Sequence, residues 1–300
     1  MGAVSFAASI PDSPPTGKTF YNAPMHRFFL SDLTAPALTG SEAHHARQVL
    51  RLRKGDEVTV FDGAGNFARC QVAGITREAV ALRPVERGQT PPLPCRITLA
   101  CAIIKKNMDF IVQKATELGA AAIVPLITER TIARPEKSDR WREIALEACK
   151  QCGNNWLPEI AAPLPVKEFL LRTVQSTDAG VATALSRRAA PNAPTERGGY
   201  NEQRQSVVRA AVGGTDAFDL KVVAALEPGA KPLRQVLTPA KSVCVLIGPE
   251  GDFTPAEYAA ARTAGYWPVT LGPLVLRADT AALYALSIVH HELVTHRGVC

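Results

Sequence analysis

Between residue 26 and about residue 87 the apolar positions come in short runs broken by turn residues, whereas from residue 95 onward strand-like runs alternate with helical periodicity. In the first region Lys54-Gly55-Asp56 predicts a turn, Val58, Val60 and Phe61 a strand, Asp62-Gly63-Ala64-Gly65 a hairpin loop, and Phe67 to Val72 the returning strand. This is a small β-rich domain, too short for a catalytic α/β unit. Gly88 to Pro94 reads as a stiff linker. Past it, Arg96 to Ile104 predicts a buried strand, Asp109 to Leu118 an amphipathic helix stopped by Gly119, and Ala121 to Ile127 a second strand. That is a βαβ unit, for which a right-handed crossover is expected. Residues 172 to about 217 mix Ser, Thr, Gly, Pro and Arg, with helical spacing only from Gln203 to Val212, and read as a surface insertion, partly disordered. Leu220 to Leu226 resumes the core pattern. The predicted class is α/β, in two domains.

Two further apolar runs, Ser242 to Ile247 and Trp267 to Leu271, end in the glycine-proline segments Gly248-Pro249-Glu250-Gly251 and Gly272-Pro273-Leu274-Val275-Leu276-Arg277. Each segment opens a helix. Thr254-Pro255-Ala256-Glu257 carries a capping box with proline at the first helical position, and Gly265 stands where a helix ending at Ala264 takes its left-handed residue. Asp279 or Thr280 is placed to cap the last helix, in which Leu283, Leu286, Val289 and Leu293 recur at near-helical spacing. Two strand ends thus present small-residue loops with free backbone N–H groups, a means of holding a polar cofactor with main chain.

Composition narrows the class. At 300 residues and 46% hydrophobic content the chain can bury a sizeable core, and no apolar run approaches a membrane span. Residues 1–24, rich in Ser, Pro and Ala, lack the apolar stretch of a signal peptide and the arginines of a transit peptide; they read as a disordered leader or a start assigned too early. Seven cysteines, an odd number without a regular framework, point to reduced thiols in a cytoplasm. Cys149-Lys150-Gln151-Cys152 has no second pair to complete a zinc site. His291 and His296 resemble a zincin pair but stand five apart, which on an α-helix turns one ring roughly 140° from the other. No metal is expected. A net charge of +6 and a pI near 9.0 favour an anionic partner, and Arg47, Arg51, Arg53 and Lys54 cluster at the end of a helix starting near Ser41, with Arg27 close in sequence. They form the expected RNA-binding patch.

The two loops, with Leu276-Arg277-Ala278-Asp279-Thr280 closing the second, resemble the SPOUT-class RNA methyltransferases, and within them the uridine N3-methyltransferases of small-subunit (16S) ribosomal RNA. The likeness extends to Met25-His26-Arg27-Phe28-Phe29-Leu30, His44 to Asp56, Gln113 to Gly119, Thr128-Glu129-Arg130, and Ala148 to Gly153 leading to Pro158-Glu159-Ile160. It implies a PUA-like RNA-binding β-barrel over 25–87, a linker at 88–94, and a methyltransferase domain over 95–300 threaded into a trefoil knot. It also implies S-adenosylmethionine as cofactor, a homodimer, and ribosomal RNA in an assembled small subunit as partner. Cofactor-binding residues are then Ile247, Gly248, Pro249, Glu250, Gly251, Leu271, Gly272, Leu274, Leu276 and Ala281. Methyl transfer to N3 needs that nitrogen deprotonated, so Arg277 is assigned to charge on the uracil carbonyls and either Glu250 or Asp279 to the proton. The sequence departs from the family pattern at Asn154 and Leu274, which replace arginines, at Asp252, which replaces glycine, and at Asp279, which replaces glutamate. Two other readings remain: a methyltransferase acting on another RNA or a ribose 2′-hydroxyl, and a non-catalytic RNA-binding ribosome-assembly factor.

Overall fold

The computed structural model describes residues 26–132, 138–174 and 218–295. The leader at 1–24 and all but the start of the 172–217 insertion, with its Gln203–Val212 pattern, lie outside the described residues.

Turn chemistry sets the first sheet. Strands β3 (Glu57–Phe61) and β4 (Asn66–Ile75) pair antiparallel with Phe61 opposite Phe67, which leaves Asp62–Gly65 as the hairpin tip. The Asp62 carboxylate closes that tip by accepting the Ala64 and Asn66 N–H groups at 2.7 and 3.1 Å. β5 (Ala79–Gln89) continues the meander, and β1 (Arg27–Phe29) and β2 (Ala37–Thr39) form the edges, in the order β1-β3-β4-β5-β2. Gly88 and Gln89 are laddered to Phe67 and Asn66, so the connection begins at Thr90, two residues later than the sequence suggests. The helix Gly40–His44 runs on as a π turn, His45–Val49, and packs Ala43 and Ala46 against Phe28, Leu38, Val60 and Leu82.

The second sheet is parallel throughout. Its order is β11 (Lys231–Pro232), β13 (Trp267–Thr270), β10 (Leu220–Ala224), β12 (Ser242–Ile247), β6 (Arg96–Ala102), β7 (Ala122–Ile127) and β8 (Glu159–Ile160), with β9 (Leu164–Pro165) also on β7. Ile97, Leu99 and Cys101 of β6 enter one apolar cluster and Ala100 enters the other, so both faces are covered and the strand reads as a continuous apolar run. The helix Pro255–Thr263 has the predicted capping box, with Thr254 at the cap, and Gly265 follows at φ +84. In the last helix, Ala278–His290, the cap position is Arg277 and carries no side-chain cap; Asp279 already lies in the first turn, which corrects the assignment of Asp279 or Thr280. Residues His291–Thr295 form a wider π turn, so the α-helical angle used for the histidine pair does not apply there, and His296 lies outside the described residues.

The two sheets are joined by the hairpin tip. Gly65 N–H donates to Asn155 O at 3.0 Å, Leu157 N–H to Gly63 O at 2.9 Å, and Thr90 N–H to Gly65 O at 2.8 Å. Arg27 is drawn into the same junction, its Nη2 donating to Asn155 Oδ1 and its guanidinium lying 5.1 Å from the Phe61 ring centre. At Gly65, φ is +89 and a Cβ would lie 2.5 Å from Trp156 Cζ2. We therefore expect Gly65→Ala to cost on the order of 3 kcal/mol, backbone strain and overpacking together. Denaturant unfolding checks this, and wild-type stability would mean that the docked hairpin is not maintained in solution.

Candidate active site

Parallel strands deliver their C-terminal loops to one edge of the sheet, and a ligand crevice forms where neighbouring loops part. β10 lies between β12 and β13, so the two glycine-proline loops flank the end of β10. The cleft between them has a volume of about 260 Å³ and is walled by Ile247–Glu250 and Asp252, by Thr270–Gly272 and Leu274–Ala278, by Ala281, and by Ala224–Leu226 at the end of β10. The structure gathers Ile247, Gly248, Pro249, Glu250, Leu271, Gly272, Leu274, Leu276 and Ala281 around this one cleft. Gly251 is the exception: it points its carbonyl at Arg130, whose Nη1 donates to it at 2.6 Å.

The three charged groups differ sharply in setting. The Arg277 side chain is 74% exposed and the Asp279 side chain 13%, with Nε and Oδ1 3.7 Å apart. Asn107 Nδ2 donates to Asp279 Oδ2 at 2.7 Å, and this hydrogen bond, assisted by the Thr280 N–H and Arg277, holds the carboxyl below the usual carboxylate range despite partial desolvation. Glu250 lines the cleft and its Oε1 accepts the Lys105 N–H at 3.1 Å. The loop after β6 therefore braces the loop after β12 and the first turn of the last helix, and the loop after β7 braces the loop after β12.

On the five-stranded sheet, Arg51, Arg53 and Lys54 are exposed, while Arg47 is half-buried and donates to Ala43 O and Thr76 O at 3.4 and 3.2 Å. Arg27 stands apart from them in the junction. In the C-x-x-C segment, burial pushes the Cys149 thiol up to about 12, and Cys152 is exposed at the end of the helix Ser138–Cys152. No three or more His, Cys, Asp or Glu side chains among the described residues are grouped to hold a metal ion.

The family model for an RNA methyltransferase domain matches residues 91–214 and 202–290, and that for an RNA methyltransferase PUA domain matches residues 38–85. Ribosomal RNA small subunit methyltransferase E of Synechocystis is 34% identical over 257 residues, 83% of this chain and 71% of the relative. The chain belongs to the ribosomal RNA small subunit methyltransferase E family. A solved structure of that enzyme from Neisseria gonorrhoeae, bound to S-adenosyl methionine, is 27% identical with a TM-score of 0.69, covering 90% of this chain and 98% of that one. A Legionella pneumophila structure holding bound cofactor SAM is also 27% identical, with a TM-score of 0.67 over 88% of this chain and 96% of that one.

Three of the departures from the family pattern have local accounts. Asp252 adopts the left-handed conformation natural to glycine, φ +63, and its Oδ1 secures the turn by accepting the Phe253 N–H at 2.8 Å and the Tyr258 hydroxyl at 2.7 Å. Asn154 shapes the junction loop, its Oδ1 accepting the Trp156 N–H at 2.9 Å. Asp279, shorter than glutamate, is met by Asn107. Leu274 is 74% exposed at the cleft mouth, and nothing in the structure explains its replacing arginine. Sequence reasoning missed Ala224–Leu226, because the position of β10 between the other two strands leaves no mark on the local pattern, and Asn107, whose partner lies 172 positions away.

Proposed function

We propose that the chain transfers the methyl group of S-adenosylmethionine to N3 of a uridine in small-subunit (16S) ribosomal RNA. The cleft where three parallel strand ends meet, walled by both glycine-proline loops, carries this reading. Its apolar walls, Ile247, Leu271, Val275 and Leu276, suit an adenine ring, while its main-chain groups and Glu250 suit the polar parts. Bound S-adenosylmethionine would supply the electrophilic methyl group. The protein's part is to hold an unpaired or extruded uridine in line, accept its N3 proton, and place Arg277 against charge on the uracil carbonyls.

The same proposal includes a PUA-like RNA-binding unit that runs from residue 25 to the end of β5 at Gln89, a linker from Thr90 to Pro94, and a trefoil-knotted methyltransferase domain beyond. Two features support the knot: the chain runs from β12 across β10 to β13, and the last helix returns to pack on β6 and β12. A homodimer is supported by Leu274 and Val275, exposed at 74% and 77% beside the cleft. The proposed setting is the cytoplasm; no helix among the described residues is long and apolar enough to cross a membrane.

Nucleoside mass spectrometry of unmodified small subunits incubated with the protein and S-adenosylmethionine tests the activity. N3-methyluridine is expected; a ribose-methylated product or no product would overturn the assignment. For the RNA patch, Arg51→Ala with Arg53→Ala should weaken RNA binding and flatten its salt dependence, each lost phosphate contact lowering the slope by about 0.7 to 0.9. Cofactor affinity should be untouched, and a wild-type salt slope would remove these arginines from the interface.

A further inference from the structure

Asparagine at a helix cap ordinarily takes an extended conformation and accepts an N–H from its own first turn. Asn107, at the start of the helix Met108–Glu117, does neither: its φ is +69 with ψ 11, and its side chain makes no cap. The amide reaches instead to Asp279, 172 positions along the chain. Two local preferences set aside at one residue mark a place where tertiary demands prevail.

The partners of the two acidic side chains point to different work. Asp279 Oδ2 accepts from Asn107, and Oδ1 accepts the Thr280 N–H at 2.8 Å with Arg277 Nε 3.7 Å away. A carboxylate engaged on both oxygens is poorly placed to take a proton and well placed to hold a cation. Glu250 has its Oε1 on the Lys105 N–H, and its Oε2 has no protein hydrogen bond among the described residues. Lys105 and Asn107 belong to one loop, between β6 and the following helix, which therefore touches both acids.

We infer that Asn107 is a positioning residue of the methyl-transfer site, holding Asp279 so that Asp279 orients Arg277, while Glu250 accepts the proton. This rests on the methyl-transfer reading above. In the reaction the N3–H bond breaks toward Glu250 Oε2, the freed N3 electron pair forms the bond to the methyl carbon, and the carbon–sulfur bond electrons leave with the sulfur as a neutral thioether.

Single-turnover methyl transfer by the full-length protein on unmodified small subunits, at saturating cofactor, provides the test. Glycine tolerates the left-handed backbone, so Asn107→Gly removes the amide and little else. It should lower the rate about 10- to 100-fold, with unchanged KM for RNA and unchanged calorimetric affinity for S-adenosylmethionine. Placed on an Arg277→Ala background, the same substitution should change the rate by less than about twofold, since its effect passes through Arg277. Glu250→Gln should cost more than Asp279→Asn. A near-wild-type rate in Asn107→Gly, equal losses in both backgrounds, or a larger loss in Asp279→Asn overturns the inference while leaving the methyl-transfer reading intact. A wild-type protein that transfers no methyl group overturns that reading itself, and the inference with it.

Discussion

Valine at Gly248 is expected to abolish cofactor binding, lowering affinity for S-adenosylmethionine by at least about a hundredfold, roughly 2.8 kcal/mol. The glycine is there for space. A Cβ at Gly248 would lie 3.1 and 3.2 Å from two carbons of the Phe253 ring and 3.3 Å from Asp252 Oδ1. Phe253 cannot withdraw, being 4% exposed and packed edge-on against Tyr258 with ring centres 5.5 Å apart. Valine's added methyls must therefore displace the loop or enter the cleft that Gly248 lines. Gly251→Ala is the matched control: its Cβ would meet Arg130 at 3.4 Å, an ordinary contact, and Gly251 does not line the cleft. Its affinity should stay within about 0.5 kcal/mol of wild type. Calorimetric titration of both variants, with thermal melts to confirm folding, decides the matter. Wild-type affinity in Gly248→Val would move the cofactor elsewhere, and an equal loss in Gly251→Ala would show that any change to the loop suffices.

Local chemistry explains how much of this site can be read from sequence. The ends of β12 and β13 are visible because an apolar run that stops at Gly-Pro has few alternatives to a strand leading into a turn. The Thr254–Glu257 capping box is visible because its donors and acceptors lie within one turn of each other. By contrast, Ala224–Leu226 enter the cleft only because β10 slots between strands that come later in the chain, and strand order is a property of the whole sheet. Arg27 reads as a surface cation, yet its place opposite Asn155 depends on how two distant segments dock. The π turn at His45–Val49 likewise departs from the α-helical period, and Arg47 within it ends on Thr76 O, 29 positions away. Asn107 is the extreme case, since its backbone conformation, its missing cap and its partner all come from outside the helix it begins.

The composition of the cleft mouth makes Arg277 the residue on which the chemistry should depend most. Methylation at N3 places negative charge on the uracil carbonyls as the proton leaves, and a fixed cation beside them is worth most where the cleft excludes water. Arg277 sits at the cap of the last helix, lines the cleft, and extends 74% exposed with only a distant, 3.7 Å ion pair to Asp279 to hold it. A pair of that length with one partner in solvent contributes little to stability, and Asp279 keeps its hydrogen bonds from Asn107 and the Thr280 N–H without it, so its removal should leave the fold alone. Arg277→Ala is therefore expected to slow single-turnover methyl transfer by about two to three orders of magnitude, the cost of one lost oxyanion donor, with cofactor affinity and oligomeric state unchanged. Arg277→Lys should recover only part of the rate, because an ammonium keeps the charge but lacks the planar fork that spans two acceptors. A near-normal rate in the alanine variant would remove Arg277 from the chemistry. Loss of the proposed dimer in place of loss of rate would make it an interface residue, paired with Asp279 for assembly alone.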